Sequence, residues 1–167
     1  IDLARQSLTR VWSSDTLPSS THTLLPVPAP VGGVVVLSDN AIFYLDQSTR
    51  ACAAVNGFAA ATVDSTTTAS LDLSTASLRR TLDGARGHFL TPTSLLLSLR
   101  NGDALHTQLV TSSSSGPSQQ VIGLRITPLH AYTLTPPCAL TGTRNRWIFH
   151  GSRLGDSFLL SWSDPAS

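Results

Sequence analysis

The stretch Trp147-Ile148-Phe149-His150-Gly151-Ser152-Arg153-Leu154-Gly155-Asp156-Ser157-Phe158-Leu159-Leu160-Ser161-Trp162 reads as a strand, a tight turn and a second strand. Aromatic and aliphatic residues fill both ends, while Gly and Asp in the middle supply turn chemistry, which is the grammar of a hairpin. The same grammar occurs earlier. Ser94-Leu95-Leu96-Leu97-Ser98-Leu99-Arg100 runs into Asn101-Gly102-Asp103 and then Ala104-Leu105-His106-Thr107-Gln108-Leu109-Val110. Arg-x-Gly-Asp thus stands at 100–103 and again at 153–156, 53 residues on. A looser copy is Gly33-Val34-Val35-Val36-Leu37, then Ser38-Asp39-Asn40, then Ala41-Ile42-Phe43-Tyr44-Leu45-Asp46. Hairpin units recurring every ~40–60 residues are the sequence signature of a β-propeller.

Composition agrees with an all-β class. Every basic residue is Arg and every acidic one Asp; Lys, Glu and Met are absent. The usual surface helix formers are therefore missing, and Val, Thr, Ile and aromatics fill the apolar runs. Charged residues make up 13% of the chain against a usual ~25%, which implies broad contact with neighbours. A net charge of +1 is too mild for the basic stripe of a free nucleic-acid binder. No run approaches the ~18 apolar residues of a membrane span, and no signal-peptide pattern is present. Cys52 and Cys138 lack Cys or His partners at metal spacing and read as buried free thiols of a reducing compartment. The missing initiator Met suggests an internal piece of a longer protein.

Along the chain, three blades are expected. The first spans about 22–56: a strand at 23–27, the Pro-rich approach Pro26-Val27-Pro28-Ala29-Pro30, a sharp turn at Gly32-Gly33, the strands flanking 38–40, and a last strand near 51–55. The second starts at Gly87-His88-Phe89-Leu90, uses the pair at 94–99 and 103–110, and ends with 121–130. The third uses Cys138-Ala139-Leu140, 147–150 and 157–162, without a fourth strand; residues 3–12 read as the last strand of a preceding blade. Residues 57–77, mostly Ala, Thr and Ser, and 111–118, with Ser112-Ser113-Ser114-Ser115-Gly116-Pro117, are expected to be mobile loops. Propellers close with ~4–8 blades, so residues 1–167 are expected to form an arc cut from one larger propeller; the family resemblance given below implies that this propeller is part of a multi-propeller protein.

Chemistry-bearing groups are few. Gly32, Gly33, Gly102 and Gly155 are assigned turn conformations, with Asp103 and Asp156 bracing their hairpins and Gly151 and Ser152 completing the last turn. Arg153 braces the last blade through its fork of donors. Arg144, Arg146 and Arg153 read as solvated or ion-paired loop residues, with contact to RNA phosphates as the alternative. His150, Ser152 and Asp156 lack the Gly-x-Ser-x-Gly elbow of a hydrolase, and Gly84-Ala85-Arg86-Gly87 lacks the Gly-Lys-Ser/Thr end of a phosphate loop. The five His lie far apart in sequence without paired carboxylates or Cys, so no metal site is expected. Trp12, Trp147 and Trp162 read as inter-blade wall residues. No catalytic residue, cofactor or small-molecule substrate is assigned.

The order of these pieces resembles a known family. Trp12-Ser13 with Leu17-Pro18, Pro26-Val27-Pro28-x-Pro30-x-Gly32-Gly33-Val34-Val35-Val36 and Tyr44-Leu45-Asp46-Gln47-Ser48 resemble the largest subunit of the cleavage and polyadenylation specificity factor. So do Thr81-Leu82-Asp83, Ser98-Leu99-Arg100-Asn101-Gly102-Asp103 and Gly151-Ser152-Arg153-Leu154-Gly155-Asp156-Ser157. The last motif is shared with the large subunit of the damage-specific DNA-binding protein, of the same triple-propeller architecture, an adaptor in ubiquitin ligation. The propeller subunit of splicing factor 3b is the further alternative. The resemblance implies a non-catalytic scaffold for nuclear pre-mRNA 3′-end processing. Its implied partners are the WD-repeat and zinc-finger subunits that read the polyadenylation signal, so that RNA contact is indirect.

Overall fold

A computed structural model describes residues 10, 12–62, 71–112, 120–129, 137–142, 147–152 and 156–162. Three sheets, antiparallel but for one short strand, follow one another along the chain. The first contains β1 (Thr21–Pro26), β2 (Val34–Ser38), β3 (Ala41–Leu45) and β4 (Arg50–Ala54), in that order across the sheet. The second is β6 (Arg86–Thr91), β7 (Ser94–Ser98), β8 (Ala104–Thr111) and β9 (Val121–Leu129), again in chain order. The third is β10 (Pro137–Gly142), β11 (Trp147–Ser152) and β12 (Phe158–Ser161). A short strand β5 (Leu71–Asp72) runs parallel to β4, Cys52 opposite Leu71, as a fifth member of the first sheet.

Each sheet is an up-and-down meander, and the middle hairpin of each is a repeat seen in the sequence. Ser98 pairs with Ala104, centring the second hairpin on residue 101, and His150 pairs with Phe158, centring the third on residue 154. The two centres are 53 residues apart, the offset of the Arg-x-Gly-Asp motif itself. In the first sheet Leu37 pairs with Ile42 around Asp39-Asn40.

Side chains alternate across a strand, and here both faces of the middle sheet are apolar because each meets another sheet. Leu95, Leu97, Leu105, Leu109, Leu124 and Ile126 of the second sheet share one core with Val35, Leu37, Ile42, Tyr44, Ala51 and Ala53 of the first. On the opposite face, Leu96 and Ala104 pack with Ile148 of the third sheet. The sheets therefore stack face to face in chain order, the arrangement of successive propeller blades. The fold is an all-β partial β-propeller, with two complete blades and part of another.

One expectation is amended. Residues 57–77, expected to be one loop, carry helix α1 (Ala59–Thr62), β5 and a 3-10 turn at Ala76–Leu78. Ala59 is fully buried with Phe43, Leu45, Cys52 and Ala54 on the outer face of the first sheet, and Leu71 and Ala76 pack against the same group. Small side chains were read as unable to form a core, yet their size lets the backbone lie directly on a sheet whose own face is already apolar. Residues 63–70, 113–119, 1–9 and 11 lie outside the described residues, so most of the strand expected at 3–12 does too, while Arg10 and Trp12 at its end are not in a strand. The base of the second loop is closed by the Ser112 N–H donating to the Gln120 carbonyl at 2.8 Å.

Candidate functional site: turns, blade rims and the exposed sheet face

The turns at the ends of the middle hairpins are linked to one another. In the first, the Ser38 hydroxyl donates to the Ala41 carbonyl at 3.1 Å, and the Asn40 and Asp39 carbonyls accept from Val55 and Leu82 N–H at 2.9 Å each. In the second, Gly102 sits at φ +89 and donates to Leu99 at 3.0 Å, while Leu99 N–H donates to the Asp103 carbonyl at 2.8 Å. Asn101 donates through Nδ2 to Asp103 Oδ2 at 2.9 Å and accepts from the Asp103 N–H at 3.1 Å.

Asn56 joins the turns across the blade boundary. Buried as it is, its amide donates to Asn40 Oδ1 at 2.9 Å and to the Arg80 carbonyl at 2.6 Å, and its Oδ1 accepts from Phe58 N–H at 3.0 Å. Arg80 Nε then meets Asp103 Oδ2 at 2.8 Å. One row of polar contacts thus runs from the first hairpin turn to the second, which a buried polar group requires if it is not to be left unsatisfied. Asn56 had no signature in the sequence; an Asn before a Gly reads only as a turn.

At the other edge of the first blade, Gly32 and Gly33 sit at φ +71 and +83. The Tyr44 hydroxyl donates to the Gly32 carbonyl at 3.1 Å and to Asp46 Oδ2 at 3.3 Å. Burial first, and Asp46 second, push the Tyr44 phenol up to about 12. Burial would raise the Asp46 carboxyl, but N–H donors from Ser48 and Thr49, with the Ser48 and Tyr44 hydroxyls, outweigh it and hold the group below its ordinary range.

The last turn differs from its assignment. Gly151 lies within β11, buried and paired with Ala139, and Ser152 ends that strand opposite Pro137, so both belong to the ladder rather than the turn. Asp156 is exposed before β12. Arg144, Arg146, Arg153 and Gly155 lie outside the described residues.

Three His lie in the second and third sheets. His88, Leu96 and His106 form one cross-strand row, and His150 is buried in β11 beside Ile148. His106 Nε2 lies 2.6 Å from Ser94 Oγ, and its ring is 5.3 Å from that of Trp162. Among the described residues no group of three or more His, Cys, Asp or Glu could hold a metal ion. Cys52 is a free, buried thiol pushed up to about 12 by burial, hence an inert one.

The third sheet carries a group of exposed apolar side chains. Cross-strand partners share a face, and Phe149 pairs with Leu159 opposite to Ile148 and Leu160. Trp147, Phe149 and Leu159, 43%, 44% and 61% exposed, thus form the face turned away from the second sheet. On the preceding two seams the equivalent faces are covered by another sheet. The geometry thus consists of stacked blades with braced rims and an apolar face on the third sheet that no described sheet covers.

Comparison with known proteins gives this class a specific setting. No family model matches the chain. Over 92% of its length it is 35% identical to cleavage and polyadenylation specificity factor subunit 1 of Arabidopsis thaliana. It is 32% identical over 94% to the probable subunit 1 of Oryza sativa, and 29% identical over 98% to that of Caenorhabditis elegans. The chain spans only about a tenth of each of these homologues: 10%, 10% and 11%.

Proposed function

We propose that this chain is an arc of one β-propeller in a subunit 1 of the cleavage and polyadenylation specificity factor, acting as a non-catalytic scaffold in nuclear pre-mRNA 3′-end processing. The observation that carries the reading is the stack of sheets ending on the Trp147–Phe149–Leu159 face, in a chain whose homologues bear that name. Stacking hides one apolar face per blade, and a further blade of the same protein would hide this one. In this account the propeller holds its partners through broad surfaces. Those partners are the WD-repeat and zinc-finger subunits of the complex, which read the RNA signal themselves, leaving the arc without a substrate of its own.

Affinity purification of the full-length protein from nuclear extract, followed by mass spectrometry, tests this. Recovery of polyadenylation-complex subunits in near-stoichiometric amounts is expected. Recovery of cullin-type ubiquitin-ligase components or splicing factor 3b subunits in their place would reassign the chain within its superfamily.

A further inference from the structure

Where the outer strands of the first two blades diverge, a groove of about 500 Å3 opens, lined by Arg50, Asp72, Ile122, Leu124, Arg125 and neighbours. We propose that this groove takes an extended, carboxylate-bearing segment of a partner protein, which adds to the free edge of β9 as a further strand. The backbone supplies the first argument. The Leu109 N–H donates to the Thr93 carbonyl at 2.8 Å, on the β7 side, so odd residues of β8 face β7 and even ones face β9. His106 and Gln108 accordingly pair with Thr127 and Arg125, and the alternate residues Leu124 and Ile126 direct N–H and C=O groups off the sheet. Pro128 falls in the same outward phase, where a residue without an N–H costs nothing.

An open edge on a nine-residue strand is one that proteins normally cover or shorten. The adjacent β4 has β5 alongside it, whereas β9 ends its sheet among the described residues. Charge identifies the occupant. Arg50 and Arg125 both line the groove, Arg125 projecting beside the β9 edge from the face opposite Leu124 and Ile126, and the one carboxylate among the described lining residues, Asp72, already accepts the Ser74 N–H at 2.8 Å. Arg50 gives one donor to Thr16 at 2.8 Å and keeps the rest of its fork. Ile122, 64% exposed, offers an apolar contact in the same groove. Main-chain bonds to Leu124 and Ile126 would supply affinity, and carboxylates on alternate side chains would supply specificity. The proposal goes beyond the scaffold reading and does not depend on which complex the protein joins.

The test uses the full-length protein, a fluorescein-labelled heptapeptide of alternating Val and Asp, its Val–Lys counterpart, a backbone N-methylated Val–Asp peptide and oligouridine. Fluorescence anisotropy and hydrogen exchange over 121–129 are read together. The Val–Asp peptide is expected to bind and to slow exchange of the Leu124 and Ile126 amides, which exchange quickly in the free protein. The Arg50→Glu/Arg125→Glu variant should weaken that binding about tenfold; both positions are exposed, so the sheet is retained. Slow exchange in the free protein, equal binding of the Lys or N-methylated peptide, no binding of the Val–Asp peptide, or oligouridine as the better ligand would each overturn the proposal.

Discussion

Gly32 and Gly33 stand side by side at φ +71 and +83, yet a methyl group added to each meets different surroundings. At Gly32 nothing lies within 4 Å of the new carbon, so alanine pays only for left-handed backbone, about 1–2 kcal/mol. At Gly33 the same backbone cost applies, and the methyl would sit 2.8 Å from the Leu45 carbonyl oxygen and 2.8 Å from the Tyr44 hydroxyl. The carbonyl belongs to a ladder and does not yield. The Tyr44 ring must move, giving up its bonds to Gly32 and Asp46 at about 1 kcal/mol each. Gly33→Ala should therefore cost about 3–5 kcal/mol, at least twice the Gly32→Ala value. Urea unfolding of this chain followed by far-UV circular dichroism measures both. Combining Gly33→Ala with Tyr44→Phe should recover part of the loss, because removing the hydroxyl removes one of the clashing atoms. Equal costs for the two single variants would refute the argument that Gly33 is there for close approach rather than for its turn.

Other consequences can be checked more briefly. Leu97→Ala empties a fully buried position between the first and second sheets and is expected to lower stability by about 2–5 kcal/mol in the same urea assay. His88 is held below its ordinary pKa by burial. The unfolded chain therefore takes up this proton first, and the stability contributed by neutral His88 is complete above ~6.5 and is lost as pH falls from there through the folded-state pKa. His88→Gln should flatten the stability profile over that range in a pH series of unfolding curves. Cys52, buried with its pKa pushed up to about 12, should resist a thiol reagent at pH 8 in the folded chain and react promptly in urea; peptide mapping of rapid labelling at Cys52 under native conditions would contradict its place in the core.

The blades were legible because their strands are short apolar runs bounded by Gly, Asp and Pro, a pattern that depends only on neighbouring residues. The 53-residue offset of Arg-x-Gly-Asp carried the stacking order as well, since equivalent hairpins fall in equivalent places. The 57–77 stretch was misjudged for the opposite reason. Ala59, Leu71 and Ala76 become core residues only once the outer face of the first sheet exists to receive them, and no local pattern announces that. Asn56 and Arg80 likewise acquire their roles from turns 16–24 residues away in sequence. Gly151 was read as turn because Gly usually is; its place in the ladder follows from pairing with Ala139. The β9 groove was invisible because its lining comes from strands of two different blades, and the freedom of a strand edge is a property of topology.

The central claim is that these sheets are consecutive blades of one wheel. A side-chain-resolution cryo-EM map of the full-length protein tests it most directly. The account predicts β6–β9 and β10–β12 as adjacent blades, with Trp147, Phe149 and Leu159 packed beneath a further sheet; the same three side chains lying open to solvent in the intact protein would contradict it.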